Sequence, residues 1–143
     1  MKYYLLSTLF VFFFSGNPVF SQCRDFAKEH CKPKLENYIH DGNYNGVVLN
    51  QDEEVELHKV FFSGQKYRIV VGCEDNMPTM HFKITDSDLN LIFDNEESNY
   101  SDIFDFELDE AKTLIISLDF VKKEDTESQH ESGCVSILFG LKL

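Results

Sequence analysis

Asp86-x-Asp88-x-Asn90, with Asp94 and Glu97 following, is the run of oxygen-bearing side chains whose spacing could hold a cation. Counted from Asp86, these residues occupy positions 1, 3, 5, 9 and 12, the ligand spacing of an EF-hand loop. Position six is Leu91, where that loop needs glycine for its bend. Leu89, Leu91 and Phe93 also alternate as a strand does, and no helical pattern flanks them. The segment therefore reads as a β-turn and a strand with acids at both ends. A non-EF Ca2+ site built from Asp86, Asp88, Asn90, Asp94 and Glu97, with help from Asp102 or Asp105, is the alternative.

Other chemistry finds less support. The histidines are His30, His40, His58, His81 and His130, and none makes a metal pair at helical i, i+4 spacing. His58 and His81 fall in expected strands and are candidates for sheet neighbours, but two ligands do not define a zinc site. No Gly-x-Ser-x-Gly elbow surrounds Ser63, and no glycine loop would cradle a phosphate. Among 25 acidic residues a pair of carboxylates can always be picked, so a carboxylate-based hydrolase needs geometry to support it. No catalytic residue is assigned.

Cys23, Cys31, Cys73 and Cys134 are even in number and lack a Cys-x-x-Cys pair, the pattern of two disulfides in an oxidising compartment. Three connectivities are open. On a straight helix Cys23 and Cys31 would stand about 12 Å apart, beyond the roughly 7 Å a bridge tolerates, so that pair requires an unwound turn. Cys73 and Cys134 each border an apolar strand-like run and suit a bond across a sheet. The pairing 23–31 with 73–134 is favoured.

The elements that must position these groups are mainly strands. Asp25 to Ile39 is the helical stretch, with Asp25 as its cap, Phe26, His30, Leu35, Tyr38 and Ile39 three or four apart, and an interruption at Pro33. From Tyr44 the period changes to two. Strands are expected at Tyr44–Leu49, Val55–Phe62, Lys66–Cys73, Thr79–Thr85, Leu89–Asp94, Ile103–Leu108, Thr113–Phe120 and Cys134–Leu141. Alternation is clearest in Tyr67/Ile69/Val71/Cys73, Met80/Phe82/Ile84 and Leu114/Ile116/Leu118/Phe120, which place apolar residues on one face. Turn residues separate the runs, as in Ser63-Gly64, Glu74-Asp75-Asn76 and Asp86-Ser87-Asp88. Lys122 to Ser132 reads as a solvated loop. The fold class this predicts is all-β: a two-sheet, jelly-roll-like sandwich of about eight antiparallel strands with a short N-terminal helix.

The first residues address the chain for export. Lys2 precedes the apolar run Tyr3 to Phe14, Gly16 and Pro18 break it, and Val19-Phe20-Ser21 offers a cleavage point, the three-part layout of a signal peptide. The run is too short to span a bilayer, which takes roughly 20 residues. Residues 1–21 are thus read as signal peptide, 22–43 as a helical segment, and 44–143 as the sandwich of the same domain, secreted or periplasmic. A formal charge of −12 disfavours nucleic acid and anionic membrane surfaces as partners. Most of the 14 phenylalanines sit on apolar sides of alternations and suit a core. Phe61-Phe62 must put one ring outward, and Tyr44, Tyr100 and Phe104 are further candidates for an exposed aromatic surface.

The stretch Phe62-Ser63-Gly64-Gln65-Lys66-Tyr67-Arg68-Ile69-Val70-Val71, with Phe82-Lys83-Ile84-Thr85-Asp86 and Leu91-Ile92-Phe93-Asp94-Asn95, resembles the core of pre-peptidase C-terminal-type β-sandwich modules. With Gly133-Cys134-Val135, the chain also resembles a group of small exported bacterial proteins of uncharacterised function. The resemblance spans roughly Val47 to Leu141 and implies a sandwich fold; this chain has no attached peptidase and adds a cysteine-bearing helix. The function this sequence favours is a non-catalytic exported protein that binds a protein partner or a surface polymer. A Ca2+-binding module and a carboxylate-based hydrolase are the alternatives.

Overall fold

The computed structural model describes residues 19–121 and 132–143. The expected signal segment, as far as Pro18, and the charged stretch from Lys122 to Glu131 lie outside the described residues.

Alternating apolar residues do become strands here, in two antiparallel sheets. In the first, β1 (Ile39–His40) and β2 (Asn45–Asn50) follow one another along one side of β9 (Ser132–Lys142). The other side of β9 pairs with β4 (Lys66–Cys73), and β4 pairs with the edge strand β7 (Ile103–Glu107). The second sheet runs β3 (Val55–Phe61), β8 (Lys112–Phe120), β5 (Met80–Asp86) and β6 (Leu91–Asp94). All eight expected strands form. The two-residue β1 is additional, and Leu89 and Asn90 belong to a turn rather than to β6.

The inward faces make one core. Leu49, Tyr67, Ile69, Val71, Val135, Ile137 and Phe139 from the first sheet meet Phe61, Met80, Phe82, Ile84, Leu114, Ile116, Leu118 and Phe120 from the second. Burying a side chain of this size stabilises by roughly 1.5–3 kcal/mol. Phe61 anchors one end, with ring contacts to Tyr67, Phe106 and Phe139, while Phe62 points outward.

A third layer covers the outer face of the first sheet. Ala27, Cys31 and Leu35 pack on Val70 and Leu138. This burial on both faces explains why β9 is buried at every residue from Gly133 to Gly140, Ser136 included, where an alternation would be expected. Two glycines let the helical segment approach so closely. A Cβ on Gly72 would stand 2.5 Å from Cys31 Sγ, and one on Gly140 would stand 2.6 Å from Tyr38 Cβ.

The helical segment departs from the expectation. The helix α1 spans Val19–Phe26, so Asp25 lies in its last turn and does not cap it. Ala27–Cys31 then continues as a wider π turn and Lys32–Leu35 as a 3-10 turn. Pro33 sits at the start of that last turn, where its missing N–H is harmless. The favoured cysteine pairing is also overturned: Cys23 bonds to Cys134, with Cα atoms 5.2 Å apart, and Cys31 and Cys73 are free thiols. The physical reason is the fold's layering. The helix lies across β9, which brings Cys23 onto Cys134, and Cys31, two turns on, faces Gly72.

Candidate functional site

The β5–β6 hairpin gathers the groups singled out above, and its tip is built around one carboxylate. Asp86 Oδ1 accepts the backbone N–H groups of Asp88 (3.0 Å) and Asn90 (2.9 Å), and Oδ2 accepts Asn90 Nδ2 at 3.0 Å. The Asn90 hydrogen bonds hold the Asp86 carboxyl below the usual carboxylate range. Leu89 N–H donates to Asp86 O, and Asp86 N–H to Asn90 O, which closes a three-residue hairpin loop of Ser87, Asp88 and Leu89. The third residue of such a loop adopts left-handed backbone and is ordinarily glycine.

Here it is leucine. Leu89 has φ +64° and is 74 % exposed. A left-handed L-residue costs roughly 1–2 kcal/mol, and an exposed leucine recovers none of that through packing. Beyond it, Thr85 pairs with Leu91 while Ile84 pairs with Phe93, so Ile92 is the extra residue of a β-bulge on an edge strand. Bulges in such places re-aim side chains. Leu89, Leu91 and Ile92 are all exposed, so the hairpin tip carries a short apolar ridge.

The five residues of the Ca2+ reading do not converge. Asp86 and Asn90 share the tip turn, and Asp88 contributes its backbone N–H to the same carboxylate. Asp94 lies at the opposite end of β6, opposite Lys83 in register, and Glu97 belongs to the 3-10 turn Asn95–Ser98 that follows. Three hydrogen bonds that shape the turn already take up most of the acceptor sites of the Asp86 carboxylate.

The other end of the hairpin is polar. His81 Nε2 is 2.8 Å from Asp94 Oδ1, and His81 Nδ1 is 3.0 Å from Asp119 Oδ1. Burial works against the Asp94 charge, but the Glu96 N–H and His81 outweigh it and hold the carboxyl below its ordinary range. His58 is not part of this group. It stands opposite Ile115 of β8, whereas His81 stands opposite Asp119 from the other side of the same strand. Beneath this end, Asn95 is buried, accepting Phe82 N–H and donating to Met80 O and Ser101 O.

Next to it lies a cavity of about 270 Å³, lined by Phe26, Cys31, Lys34, Cys73, Tyr100 and Asp102 among others, with Lys34 ion-paired to Asp102. Burial pushes both thiols up to about 11, so at neutral pH they are protonated and poor nucleophiles. Of the aromatics considered for an exposed surface, Tyr44, Tyr100 and Phe104 are half-buried and only Phe62 stands out. Phe104 stacks between Phe93 and Phe106. A shallow apolar cleft of about 160 Å³ between β2 and β3, lined by Val47, Val55, Leu57 and Ile137, borders the core.

The sequence reading did not find Leu89, because Leu89/Leu91/Phe93 alternates like a strand. The available signal was the run Asp86-Ser87-Asp88, a strong type I turn opener, which leaves the next residue to take left-handed backbone.

These elements define a two-sheet β-sandwich with a helical cover and an apolar hairpin tip. No family model matches the chain, and no curated protein does. The chain is similar in fold to the crystal structure of Aeromonas hydrophila PliG, a periplasmic lysozyme inhibitor of g-type lysozyme. The TM-score is 0.52 at 11 % sequence identity, over 75 % of this chain and 90 % of that one.

Proposed function

We propose that this chain is an exported, non-catalytic protein that binds another protein through the Asp86–Ile92 hairpin tip. The observation that carries this reading is Leu89. A large apolar side chain occupies a glycine position, in strained backbone, and points to solvent. Strain kept where it brings no packing is characteristic of functional sites, and a pre-shaped loop loses little entropy on binding. An aliphatic ridge suits an apolar pocket on a protein partner. The charge of −12 favours a cationic one and speeds its encounter.

Export is supported by the signal-like first 21 residues and by the Cys23–Cys134 disulfide, which needs an oxidising compartment. The fold likeness makes a g-type lysozyme the first partner to test. The measurement is lysis of peptidoglycan by a g-type lysozyme with increasing amounts of the mature chain, alongside calorimetric binding. Stoichiometric inhibition that Leu89→Asp weakens at least about tenfold supports the reading. Undiminished lysis at large excess, with no binding heat, removes this partner. Binding that Leu89→Asp leaves intact removes the tip as the contact.

A further inference from the structure

His81 lies on the outer face of the second sheet with carboxylates at both ring nitrogens, Asp94 at Nε2 and Asp119 at Nδ1. The side chains of His81 and Asp94 are only 13 % and 15 % exposed. Each is fixed by its element. Asp119 stands directly opposite His81 in the β5–β8 register. Asp94 Oδ1 also accepts the Glu96 N–H, and this turn brings the Glu96 carboxylate round to the ring. One ligand atom each from His81, Asp94 and Glu96 lies within 4.8 Å of the other two.

A carboxylate on one imidazole nitrogen selects the tautomer that frees the other nitrogen's lone pair, and this is how metal-bound histidines are oriented. With the Nδ1 proton given to Asp119, Nε2 turns its lone pair toward two carboxylates. Three donor atoms meeting in this way can share one cation. A proton on Nε2 serves Asp94 alone; a divalent cation serves all three.

We propose that His81, Asp94 and Glu96 bind a divalent transition-metal cation of the Zn2+ class, with Asp119 orienting the imidazole. Ligand atoms about 2.0 Å from a tetrahedral centre stand roughly 3.3 Å from one another. His81 Nε2 and Asp94 therefore open by about half an ångström, and the exposed Glu96 closes in. One imidazole with two carboxylates suits Zn2+ or Mn2+; Ca2+ prefers six to eight oxygens. Three protein ligands would leave a fourth tetrahedral position for water or a partner's side chain. Bound metal would tie the turn after β6 to β5, at the base of the hairpin whose tip is the proposed contact. The site does not depend on that contact.

The test uses tag-free, chelator-stripped protein with the Cys23–Cys134 bond intact, titrated with zinc chloride by calorimetry and melted with and without zinc. One equivalent of saturable binding and a zinc-dependent rise in Tm are expected. Glu96→Gln should weaken binding at least about tenfold without changing the metal-free Tm, because Glu96 is exposed. Asp119→Asn should weaken it about 10- to 100-fold although Asp119 does not touch the metal. His81→Gln should abolish binding, with its metal-free Tm read separately because it also removes the ring's contacts to Asp94 and Asp119. Absence of saturable binding at millimolar zinc overturns the proposal. So does zinc binding that persists undiminished in both Glu96→Gln and His81→Gln.

Discussion

Cys23 in the N-terminal helix and Cys134 near the start of the last strand are bonded across a sequence separation of 111, with their Cα atoms 5.2 Å apart. The bond fastens the helical layer to β9, the strand on which the first sheet is organised. It closes nearly the whole described chain into one loop.

Opening so long a loop raises the entropy of the unfolded chain, so a Cys23→Ser, Cys134→Ser double variant should lose about 2–5 kcal/mol. Urea unfolding of oxidised wild type against the double variant measures this. Equal midpoints would mean that the bridge contributes nothing to holding the helical layer.

The remaining two cysteines should behave as buried thiols. With both pushed up to about 11 by burial, alkylation of native protein at pH 7.5 should be slow, while unfolding without reductant should release two reactive thiols. Peptide mapping of the non-reduced protein then gives the pairing directly. A linked pair other than Cys23 with Cys134 would refute the arrangement described.

Leu89→Asn separates stability from recognition. Asparagine tolerates left-handed backbone, so the variant should be as stable as wild type or more so by up to about 1 kcal/mol. It should still lose binding to the partner. A clear fall in Tm would show that Leu89 serves packing after all.

Asn95→Ala should be among the costliest polar substitutions. It leaves Phe82 N–H, Met80 O and Ser101 O without the partner they share, in a position that is 1 % exposed. A loss of about 2–3 kcal/mol in urea unfolding is expected.

Acid stability has an identified contributor in Asp105. The Arg68 guanidinium grips it with Nε–Oδ1 and Nη2–Oδ2 hydrogen bonds of 2.7 and 2.8 Å and holds its carboxyl below the usual range. A carboxyl depressed in the folded state stabilises fully above its unfolded value near 4, and that contribution fades as pH falls through the folded value. Melting followed from pH 5 down to pH 2 should show this decline, and Asp105→Asn should flatten part of it. An identical slope in the variant would exclude the pair as a source. The carboxylate is partly exposed, so the effect should shrink in high salt.

Most strands were legible in the sequence because their signal is local. Tyr67/Ile69/Val71/Cys73 and Leu114/Ile116/Leu118/Phe120 alternate wherever the other sheet stands, since a period of two is a property of extended backbone against any apolar face. The helix was placed too late. Its position follows from packing onto Gly72, Gly140 and Val70, and the segment's own pattern changes pitch through a π turn and a 3-10 turn. The tip carboxylate Asp86 was visible as turn chemistry, whereas Leu89 was hidden inside an apparent alternation.

What the chain determined by itself was which residues face inward along each strand. Which strand lies beside which was decided only in three dimensions, and with it the joining of Cys23 to Cys134 and the meeting of His81 with Asp119. Those contacts depend on register and on the order of strands in a sheet, where one step along or one strand across changes every neighbour. The free energy that selects among them comes from the shared core and is not carried by any short segment.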